Sequence, residues 1–414
     1  MEEPAVTAVA AEEAAPEHRT VVLSTFADAK DAYRSKDLRQ SLYDEGEVVM
    51  ADVLVNLHGE EHRSRRRVEN RMFRREVFER YERDLFPAVT DATIAPYVAA
   101  GRVDLVHLGH ELMLNLAALT AGVDRPEGTA EETERLYAYM MSFIEGATLA
   151  HSTKDKAVQR GVIAQALDDW DAEFLAPSIA RRRDLLAREA AGEDVEVPRD
   201  VLATLLRHAD ELTLAPEVIR REVAFFLLAG AHTSATAFVR AIDHILGWID
   251  EHPEDAAAAV DDPLFVQRCI HETVRLNPSS PTGRRRALAP VSLRSGIDIP
   301  EGATVVIDLQ AVNRDVTLFG ADAADFNPRR TLPPGVAPFG LSFAAGMHVC
   351  IGQDLAAGVV QRADTDPGSH LFGLVTGAVQ QMFAAGTRRD PDNPPRRDAA
   401  TARPYWGSYP VLLG

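Results

Sequence analysis

The sequence predicts a mainly α-helical protein with small β regions, built as one domain. Helical patterning dominates from Arg19 to about residue 285, and a short stretch of β-type alternation follows it. We find no internal repeat and no Gly/Ser-rich linker in the 414 residues, a length that permits one large domain. We therefore expect a single domain over residues 19–414. Residues 1–18 are acidic and Ala-rich, and are predicted to form a disordered tail.

Two kinds of segment support this fold class. Residues 129–146 and 163–190 have the apolar spacing of helices and are bounded by short polar breaks. Residues 289–309 alternate instead, as strands do, and Pro300 and Gly302 mark turns among them. The β pieces are small and adjoin a helical chain, so we expect minor sheets within one domain.

The longest predicted helix begins near Pro216, a residue type favoured in a first turn, and ends before Pro253. It would have about 35 residues and a length of about 50 Å. Residues 223–239 in its middle are apolar on nearly every side, so the helix should run through the core. Small or polar residues there need a reason, because a buried polar group is costly unless it is paired or used. These residues are Gly230, His232, Thr233 and Ser234. A helix crossing that requires small residues is the alternative explanation.

Composition limits the classes of function. The chain has two cysteines, Cys269 and Cys350, so no disulfide framework is expected and a reducing compartment fits. The longest apolar runs are far shorter than a membrane span, and the N-terminus lacks the pattern of a signal peptide. We therefore expect a cytoplasmic protein that is not membrane-bound. The net charge of −19 argues against nucleic acid as the main partner.

One basic segment departs from the acidic balance. Seven arginines fall between Arg63 and Arg75. Such a run is commonly one solvated face of a helix. It would also suit the docking of a negatively charged protein partner. The run alone leaves both interpretations open.

Cys350 lies in the segment 343-FAAGMHVCIG-352, which is the most informative part of the chain. A thiolate that binds haem iron needs a tight loop that glycine permits, space for a flat porphyrin and a shielded sulfur. Phe343, Gly346 and Gly352 provide residues of these kinds at suitable positions. The alternative is a buried and inert cysteine, the usual fate of a free cysteine.

Two charged pairs accompany this loop. Glu272 and Arg275 are three residues apart, so on a helix they share a face, and their apolar flanks indicate partial burial. A buried pair needs further hydrogen bonds to offset desolvation, which Arg330 of 326-FNPRR-330 is a candidate to supply. His62 and Arg66 are four apart on the arginine-rich segment, and such side chains donate to carboxylates.

Taken in order, these segments resemble the cytochrome P450 family, and the resemblance runs from about residue 19 to the C-terminus. The matching motifs are His62 with Arg66, 229-AGAHTS-234, 272-ETVR-275, 326-FNPRR-330 and 343-FAAGMHVCIG-352. The family has its haem between the long central helix and the helix that follows the cysteine loop. The resemblance implies the same fold and a haem b cofactor here.

The resemblance also implies roles for single residues. Cys350 would be the metal ligand, with Phe343 packed near the sulfur, and Gly346 and Gly352 would let the backbone approach the porphyrin. The propionates would be held by His62, Arg66, Arg285 and His348, where Arg285 has two neighbouring arginines as competitors. The distal side of the haem would be formed by Ala229, Gly230 and Thr233, with Thr233 helping to deliver protons to bound oxygen.

The chain departs from the family pattern at two places. His232 occupies the position before the distal threonine, where an acid is usual. A histidine there can pass protons or orient a substrate, so we assign His232 one of these roles as a hypothesis. In addition, the family's proline-rich entry segment and first helix have no counterpart before residue 20.

The implied function is a monooxygenase of specialised metabolism. It would insert one oxygen atom from O2 into a small hydrophobic substrate, by C–H hydroxylation or epoxidation, with electrons from NAD(P)H via ferredoxin reductase and ferredoxin. The ferredoxin would dock near Arg63, Arg67, Arg71 and Arg74, and the protein is expected to be a monomer. The alternatives are a peroxygenase or a non-oxygenating haem-thiolate enzyme and, from another class, a haem-binding sensor or carrier without turnover.

The substrate itself is not predicted, because the expected pocket residues are mixed. An apolar cavity is indicated by Val49, Met50, Val53, Met140, Phe143 and Leu149. Hydrogen-bonding points are indicated by Ser279, Ser280 and Thr282.

Overall fold

The computed structural model describes residues 19–149, 152, 154–399 and 404–414. The tail predicted over residues 1–18 lies outside the described residues. The predicted mainly α architecture with small sheets is confirmed, and eighteen α-helices and eleven strands are found in the described part of the chain.

The helices are numbered in chain order. The first nine are α1 (Phe26–Arg34), α2 (Glu47–Met50), α3 (Gly59–Glu69), α4 (Arg75–Arg80), α5 (Phe86–Ala100), α6 (Leu105–Ala121), α7 (Ala130–Ala147), α8 (Lys156–Trp170) and α9 (Ala176–Ala190). The others are α10 (Val201–Arg207), α11 (Ala209–Leu212), α12 (Pro216–Glu251), α13 (Ala256–Asp261), α14 (Pro263–Leu276), α15 (Leu309–Val312), α16 (Val316–Phe319), α17 (Gln353–Ala357) and α18 (Leu374–Ala384).

The central helix α12 has the predicted start and end. It has 36 residues, and its apolar stretch would satisfy the length and composition of a membrane span. However, 61% of that stretch is buried inside the protein, as expected of a helix that crosses a core. It packs closely on α6, where a Cβ at Gly109 would lie 3.1 Å from the Phe238 ring. The prediction of a core helix over this segment is confirmed.

The strands form four small sheets. They are β1 (Thr20–Leu23), β2 (Leu38–Gln40), β3 (Arg102–Asp104), β4 (Thr282–Ala287), β5 (Val291–Ser292), β6 (Asp298–Ile299), β7 (Thr304–Asp308), β8 (Arg388–Arg389), β9 (Arg396–Arg397), β10 (Trp406–Ser408) and β11 (Pro410–Leu412). The largest sheet has the order β1-β7-β4-β2. In it β1 pairs in parallel with β7, and the other two pairings are antiparallel.

Strand alternation in β4 distinguishes three consecutive arginines. Side chains on a strand point to opposite faces in turn. Gly283, Arg285 and Ala287 are buried, whereas Arg284 and Arg286 are half-buried. Arg285 is therefore the arginine of this strand that points into the protein.

A buried charged network joins α14 to the segment after α16. The Arg275 side chain is completely buried, and it donates to both carboxylate oxygens of Glu272 at 2.7 Å. The carbonyls of Asn313 and Ala323 accept from its other terminal nitrogen, each at 2.7 Å. Arg330 donates to Glu272 at 3.1 Å. The predicted role of Arg330 in this network is confirmed, and the added bonds offset the desolvation of the pair.

A second buried cluster, which the sequence did not predict, joins α3 to α12. Glu222 is completely buried, accepts from the Leu54 amide at 3.0 Å and pairs with Arg65 at 2.7 Å. Glu69 is also buried, and neither of its carboxylate oxygens has a hydrogen-bond partner among the described residues. Arg221 approaches from the same helix as Glu222 and donates to the Ala51 carbonyl at 2.7 Å. These contacts attach residues 51–54 to the long helix.

The two acids of this cluster hold protons tightly. Burial raises the pKa of Glu222 to about 7, although Arg65 and the Leu54 amide oppose the shift. Burial, and then the charge of Glu222, raise the pKa of Glu69 above its usual range. A carboxyl that binds its proton more tightly in the folded protein than in the unfolded chain destabilises the fold as it ionises. The contribution of this cluster to stability therefore decreases as the pH rises from about 4.5 through 7.

Glu222→Gln should remove part of this dependence. We expect the melting temperature of the variant, relative to the unaltered protein, to rise by about 2 °C between pH 5 and pH 7. Calorimetry of the haem-loaded proteins at both pH values measures the difference. Glu217→Gln is the matched control, since Glu217 is exposed in the first turn of the same helix. A melting difference that is equal at the two pH values would contradict this role for Glu222.

Candidate functional site

The cysteine loop is a tight turn closed by its own backbone. The Cys350 amide donates to the Phe343 carbonyl at 2.9 Å, across a short 3₁₀ turn at Gly346–His348. Gly346 has φ +70°, and a Cβ there would lie 2.4 Å from the Tyr33 carbonyl oxygen of α1. Glycine is therefore required for the approach of the loop to α1. Gly352 has φ −92°, and a Cβ there would make an ordinary 3.9 Å contact with Phe73.

The Cys350 side chain is accessible, although it lies within the body of the protein. This burial of the thiol within the protein body raises its pKa, while a hydrogen bond from the Gly352 amide lowers it. Such a thiol is protonated until a metal ion displaces its proton. Cys269 differs, since it is completely buried in the core. Of the two cysteines, Cys350 is therefore the available ligand.

Two histidines meet beside the loop. His62 of α3 and His348 have ring centroids 4.4 Å apart. Both ring nitrogens of His62 and the Nε2 atom of His348 are buried without a hydrogen-bond partner among the described residues. Burial, and then the charge of Arg66, lower the pKa of His62 to about 4. Burial, and then the charges of His62 and Arg285, lower the pKa of His348 to about 3. Unpaired buried nitrogens are costly, so this pair is suited to a polar partner from outside the polypeptide.

Arg285 adds a buried positive charge to the same group. Its guanidinium lies 4.8 Å from the Tyr33 ring centroid and donates to the Arg284 carbonyl at 2.8 Å. It meets no carboxylate within the described part of the chain, and burial lowers its pKa. Arg66, which is half-buried, lies close enough to Cys350 for their charges to interact. The structure thus brings together the four residues predicted to hold propionates.

These residues fit a porphyrin with two carboxylates. Guanidinium and imidazole groups donate well to carboxylates, and they converge here from α3, β4 and the cysteine loop. A flat ligand also needs interior space between the thiol and the long helix. Thr233 is exposed although it lies in the middle of α12, between the buried residues Ala231 and Ser234. The donor set and the space are those that haem requires.

Two further residues belong to this group, and the sequence analysis missed them. His58, just before α3, donates from Nε2 to the Lys36 carbonyl at 2.9 Å, while its Nδ1 is buried without a partner among the described residues. Tyr33 of α1 supports Arg285 through ring stacking. His58, His62 and Arg66 are each four residues apart, and this spacing could have indicated His58 from the sequence. Nothing local in the sequence marks Tyr33.

The Thr233 hydroxyl bonds to the backbone of its own helix, α12. Thr233 donates to the Ala229 carbonyl at 2.7 Å, while its own carbonyl accepts from Ser279 at 3.1 Å. Tyr405 in turn donates to the Ser279 carbonyl at 2.6 Å. Gly230 faces α6, where a Cβ would lie 3.4 Å from Ala117. The structure therefore places Gly230 at a helix contact, whereas the resemblance assigned it to the cofactor.

His232 lies on a different face of α12, beside a cavity of about 540 Å³. Its ring centroid is 5.8 Å from that of His110 and 5.6 Å from that of Tyr405. Burial lowers the pKa of His110 to about 4, so this imidazole is neutral at physiological pH. The polar side chains in the cavity wall include Tyr137, Ser142, Thr236 and Arg240. Apolar side chains such as Val106, Ile144 and Val239 also line it, so the cavity wall is mixed.

The six apolar residues expected to line a pocket are all in the core. Each has 0% of its surface exposed, so none of them faces an open cavity in this structure. They are Val49, Met50, Val53, Met140, Phe143 and Leu149. The expectation of an apolar wall from these residues was wrong, because their side chains fill the space between helices.

The seven arginines of residues 63–75 differ in their exposure. Arg65 is buried and Arg66 is half-buried, while five arginines are exposed: Arg63, Arg67, Arg71, Arg74 and Arg75. Some of their charge is compensated, since Arg63 pairs with Glu60 at 2.6 Å and Arg74 lies 4.0 Å from Glu76. The exposed set is close to the cysteine loop, because Phe73 precedes Arg74 and faces Gly352.

Comparisons with known proteins agree with this geometry. The family model described as Cytochrome P450 matches residues 167–360, which include α12, Glu272 and Cys350. The cytochrome P450 monooxygenase acrD of Aspergillus aculeatus is 31% identical over 217 residues, covering 46% of this chain and 42% of that protein. The chain thus matches less than half the length of this curated relative.

Solved structures are similar over nearly the whole chain. CalO2 covers 96% of this chain and 91% of its own, with a TM-score of 0.72 and 21% identity. P450BioI, solved in complex with acyl carrier protein ligated to hexadec-9Z-enoic acid, covers 95% and 92%, with a TM-score of 0.71 and 16% identity. At these identities the likeness shows the fold, and the cofactor of that fold is protoporphyrin IX haem. The chain is therefore similar to cytochrome P450 proteins in sequence over residues 167–360 and in fold over nearly its whole length.

Proposed function

We propose that this protein is a haem-thiolate monooxygenase. The bound haem would activate O2 so that one oxygen atom enters a small hydrophobic substrate, by C–H hydroxylation or epoxidation, and the other leaves as water. Two electrons and two protons balance the reaction. The electrons would come from NAD(P)H through ferredoxin reductase and ferredoxin. We further propose a monomer in the cytoplasm.

One observation carries this proposal. Cys350, an available thiol, lies in the same group as buried imidazole and guanidinium donors that have no carboxylate of their own in the described structure. A thiolate ligand favours O–O cleavage, whereas an axial histidine serves globins and peroxidases. The donors would fix the porphyrin edge through its propionates. This combination supports oxygen activation over simple haem storage.

The polypeptide would contribute positioning and proton supply. Cys350 would bind the iron, and the Gly352 amide would stabilise its negative charge. Thr233 uses its proton to bond Ala229, so its oxygen can accept a further hydrogen bond on the distal side. Tyr405, in the wall of the cavity beside His232, is linked through Ser279 to the Thr233 backbone. His232 in that wall would pass protons inward or hold a polar group of the substrate.

The cavity narrows the proposed substrate. Imidazole, phenol and hydroxyl groups line it beside His232, so a substrate that extends into this space would carry hydrogen-bonding groups. The Ser142 and Thr236 hydroxyls donate to the Ala138 and His232 carbonyls, so their oxygens can still accept a hydrogen bond from a polar group of the substrate. We therefore propose a small, mainly apolar substrate with at least one hydroxyl, carbonyl or amine.

A peroxygenase is the second candidate, and the same position favours it. His232 replaces the acid usual before the distal threonine, and its described ring contacts are to His110 and Tyr405. Peroxide brings both oxygen atoms and both electrons, so a peroxygenase needs neither the relay nor a protein electron donor. Turnover with ferredoxin and its reductase, compared with turnover by peroxide alone, separates the two candidates.

The ligand assignment is tested by substitution of each cysteine. We expect the reduced protein with carbon monoxide to have a thiolate-type spectrum, and Cys350→His to convert it to a histidine-type spectrum. Cys269→Ala is the control, because Cys269 lies in the core and should leave the spectrum unchanged. A histidine-type spectrum in the unaltered protein would refute the proposed function.

The propionate assignment is tested by haem affinity. Arg285→Leu should speed haem transfer to excess apomyoglobin by about 10- to 100-fold, since a hydrogen bond to a charged group contributes about 1.5–3 kcal/mol. Arg284→Leu on the neighbouring, half-buried position should leave the transfer rate nearly unchanged. Equal rates for the two variants would exclude Arg285 as a specific propionate ligand.

The role of His232 is tested by coupling. His232→Ala should lower the product formed per NAD(P)H consumed by about tenfold, less than the roughly 10²–10⁴-fold that a positioned acid or base contributes to a rate, because water can replace part of the proton supply. His232→Glu restores an acid and should recover part of the coupling. Substrate affinity, read from the change in the haem spectrum, separates proton delivery from substrate binding. Unchanged coupling and unchanged affinity in both variants would remove His232 from the mechanism.

A further inference from the structure

Two helices follow the cysteine loop, α17 and α18, and a closed loop connects them. α17 ends at Gly358 (φ +75°), and α18 starts after Gly373 (φ +83°). These two glycines touch, because a Cβ on Gly373 would lie 2.3 Å from the Gly358 nitrogen. Residues 359–372 thus leave the helix and return to the same point. A compact loop with adjoining ends is an Ω-loop, and such loops are frequently functional. We call residues 359–372 the Ω-loop.

The base of the Ω-loop is fixed to α14. The Gln267 amide, completely buried, donates to the carbonyls of Ala357 and Val359 at 3.0 Å. Gln361 donates to the Leu264 carbonyl at 2.8 Å, and the Val359 amide donates to the Leu371 carbonyl at 2.9 Å. These bonds satisfy the backbone where the helix is broken. The base is therefore rigid.

The other side of the Ω-loop is bonded to the segment that carries the exposed arginines. Glu82 accepts from the amides of Phe372 and Gly373 at 2.8 and 2.9 Å. Arg75, next to Arg74, donates to the Ser369 carbonyl at 2.9 Å. The Ω-loop and the exposed arginines therefore form one continuous surface. The cysteine loop adjoins this surface, since Phe73, next to Arg74, faces Gly352.

The tip of the Ω-loop is ordered without touching the core. Residues 362–369 are exposed except for half-buried Thr365, whose hydroxyl accepts from the Arg362 amide at 2.7 Å. Asp366 accepts from the Gly368 amide at 3.1 Å and from the Ser369 hydroxyl at 3.0 Å. Ordering so many exposed residues costs conformational entropy that no core contact repays. A preformed surface of this kind lowers the ordering cost of binding a partner.

We infer that the Ω-loop is one wall of the surface on which an acidic iron–sulfur protein docks to reduce the haem. This inference rests on the proposed function. The exposed arginines supply positive charge to an otherwise acidic protein, which steers an acidic partner to this face. The Ω-loop then restricts the orientations in which that partner fits. In each productive encounter one electron leaves the reduced iron–sulfur centre of the partner and reaches the haem.

The test shortens the Ω-loop without disturbing its base. Residues 362–369 are replaced by two glycines, so that Gln361 and His370 keep their bonds to Gln267. The probe is a purified, reduced, acidic [2Fe–2S] ferredoxin, and stopped-flow absorbance of the haem gives the second-order rate constant of reduction. We expect this constant to fall at least about tenfold, since orientation limits the association of docking proteins. Reduction by dithionite should be unchanged.

Two matched variants separate shape from charge and from misfolding. The shortening removes Arg362, Asp364 and Asp366, which changes the net charge by +1. Asp364→Asn changes it equally and keeps the shape, so its rate constant should not fall. Ala363→Trp adds bulk at the exposed tip and should slow reduction even if the shortened variant does not fold. If Ala363→Trp reduces as fast as the unaltered protein, the inference is overturned.

The measurements distinguish a failure of the docking inference from a failure of the monooxygenase proposal. A thiolate-type carbon monoxide spectrum and normal dithionite reduction first establish an intact site. If that spectrum is absent, the proposed function fails and the loop is not at fault. If it is present, and ferredoxin reduces the unaltered and shortened proteins equally at low and high salt, the docking inference alone fails.

Discussion

The structure depends on a group of buried imidazole and guanidinium side chains that face no carboxylate in the described part of the polypeptide. His62, His348 and Arg285 come from three distant segments and meet beside Cys350, without a carboxylate among the described residues. Their desolvation is a cost that an anionic ligand with hydrogen-bond acceptors offsets. Binding of such a ligand to the folded form alone stabilises that form by mass action. Cofactor binding is therefore part of the stability of this fold.

Two charged networks keep the surrounding helices in position. Arg275, completely buried, connects α14 to the carbonyls of Asn313, Ala323 and Asp325. Glu222 connects α12 to the segment before α3. Both are strongly directional, unlike the apolar contacts between α6 and α12. The first network surrounds each charge with partners, whereas the second leaves the Glu69 carboxylate without a hydrogen-bond partner among the described residues. The helix that bears Thr233 is thus positioned by packing and by a titratable contact at its first turns.

The site was predictable where its residues are close in sequence. Local spacing predicts the cysteine loop, the Glu272–Arg275 pair and the His62–Arg66 pair. In the structure, Arg275 bonds Glu272, and Arg66 lies close to Cys350. Arg285 required the alternation of a strand whose register only the structure gives. Arg65 and Glu222 are 157 residues apart, so no local pattern could relate them. Apolar residues such as Met140 were misplaced because composition does not distinguish a core from a cavity wall.

The pairing of β1 with β7 has a consequence for how the protein is made. Residues 20–23 bond residues 304–307, and Gly346 closes against α1. Contacts of such sequence separation form slowly, because a long stretch of chain must be confined before they are gained. During synthesis, the start of the chain must wait until about residue 350 has left the ribosome. Cofactor capture is then a late event, and for most of translation the first segments need protection from aggregation.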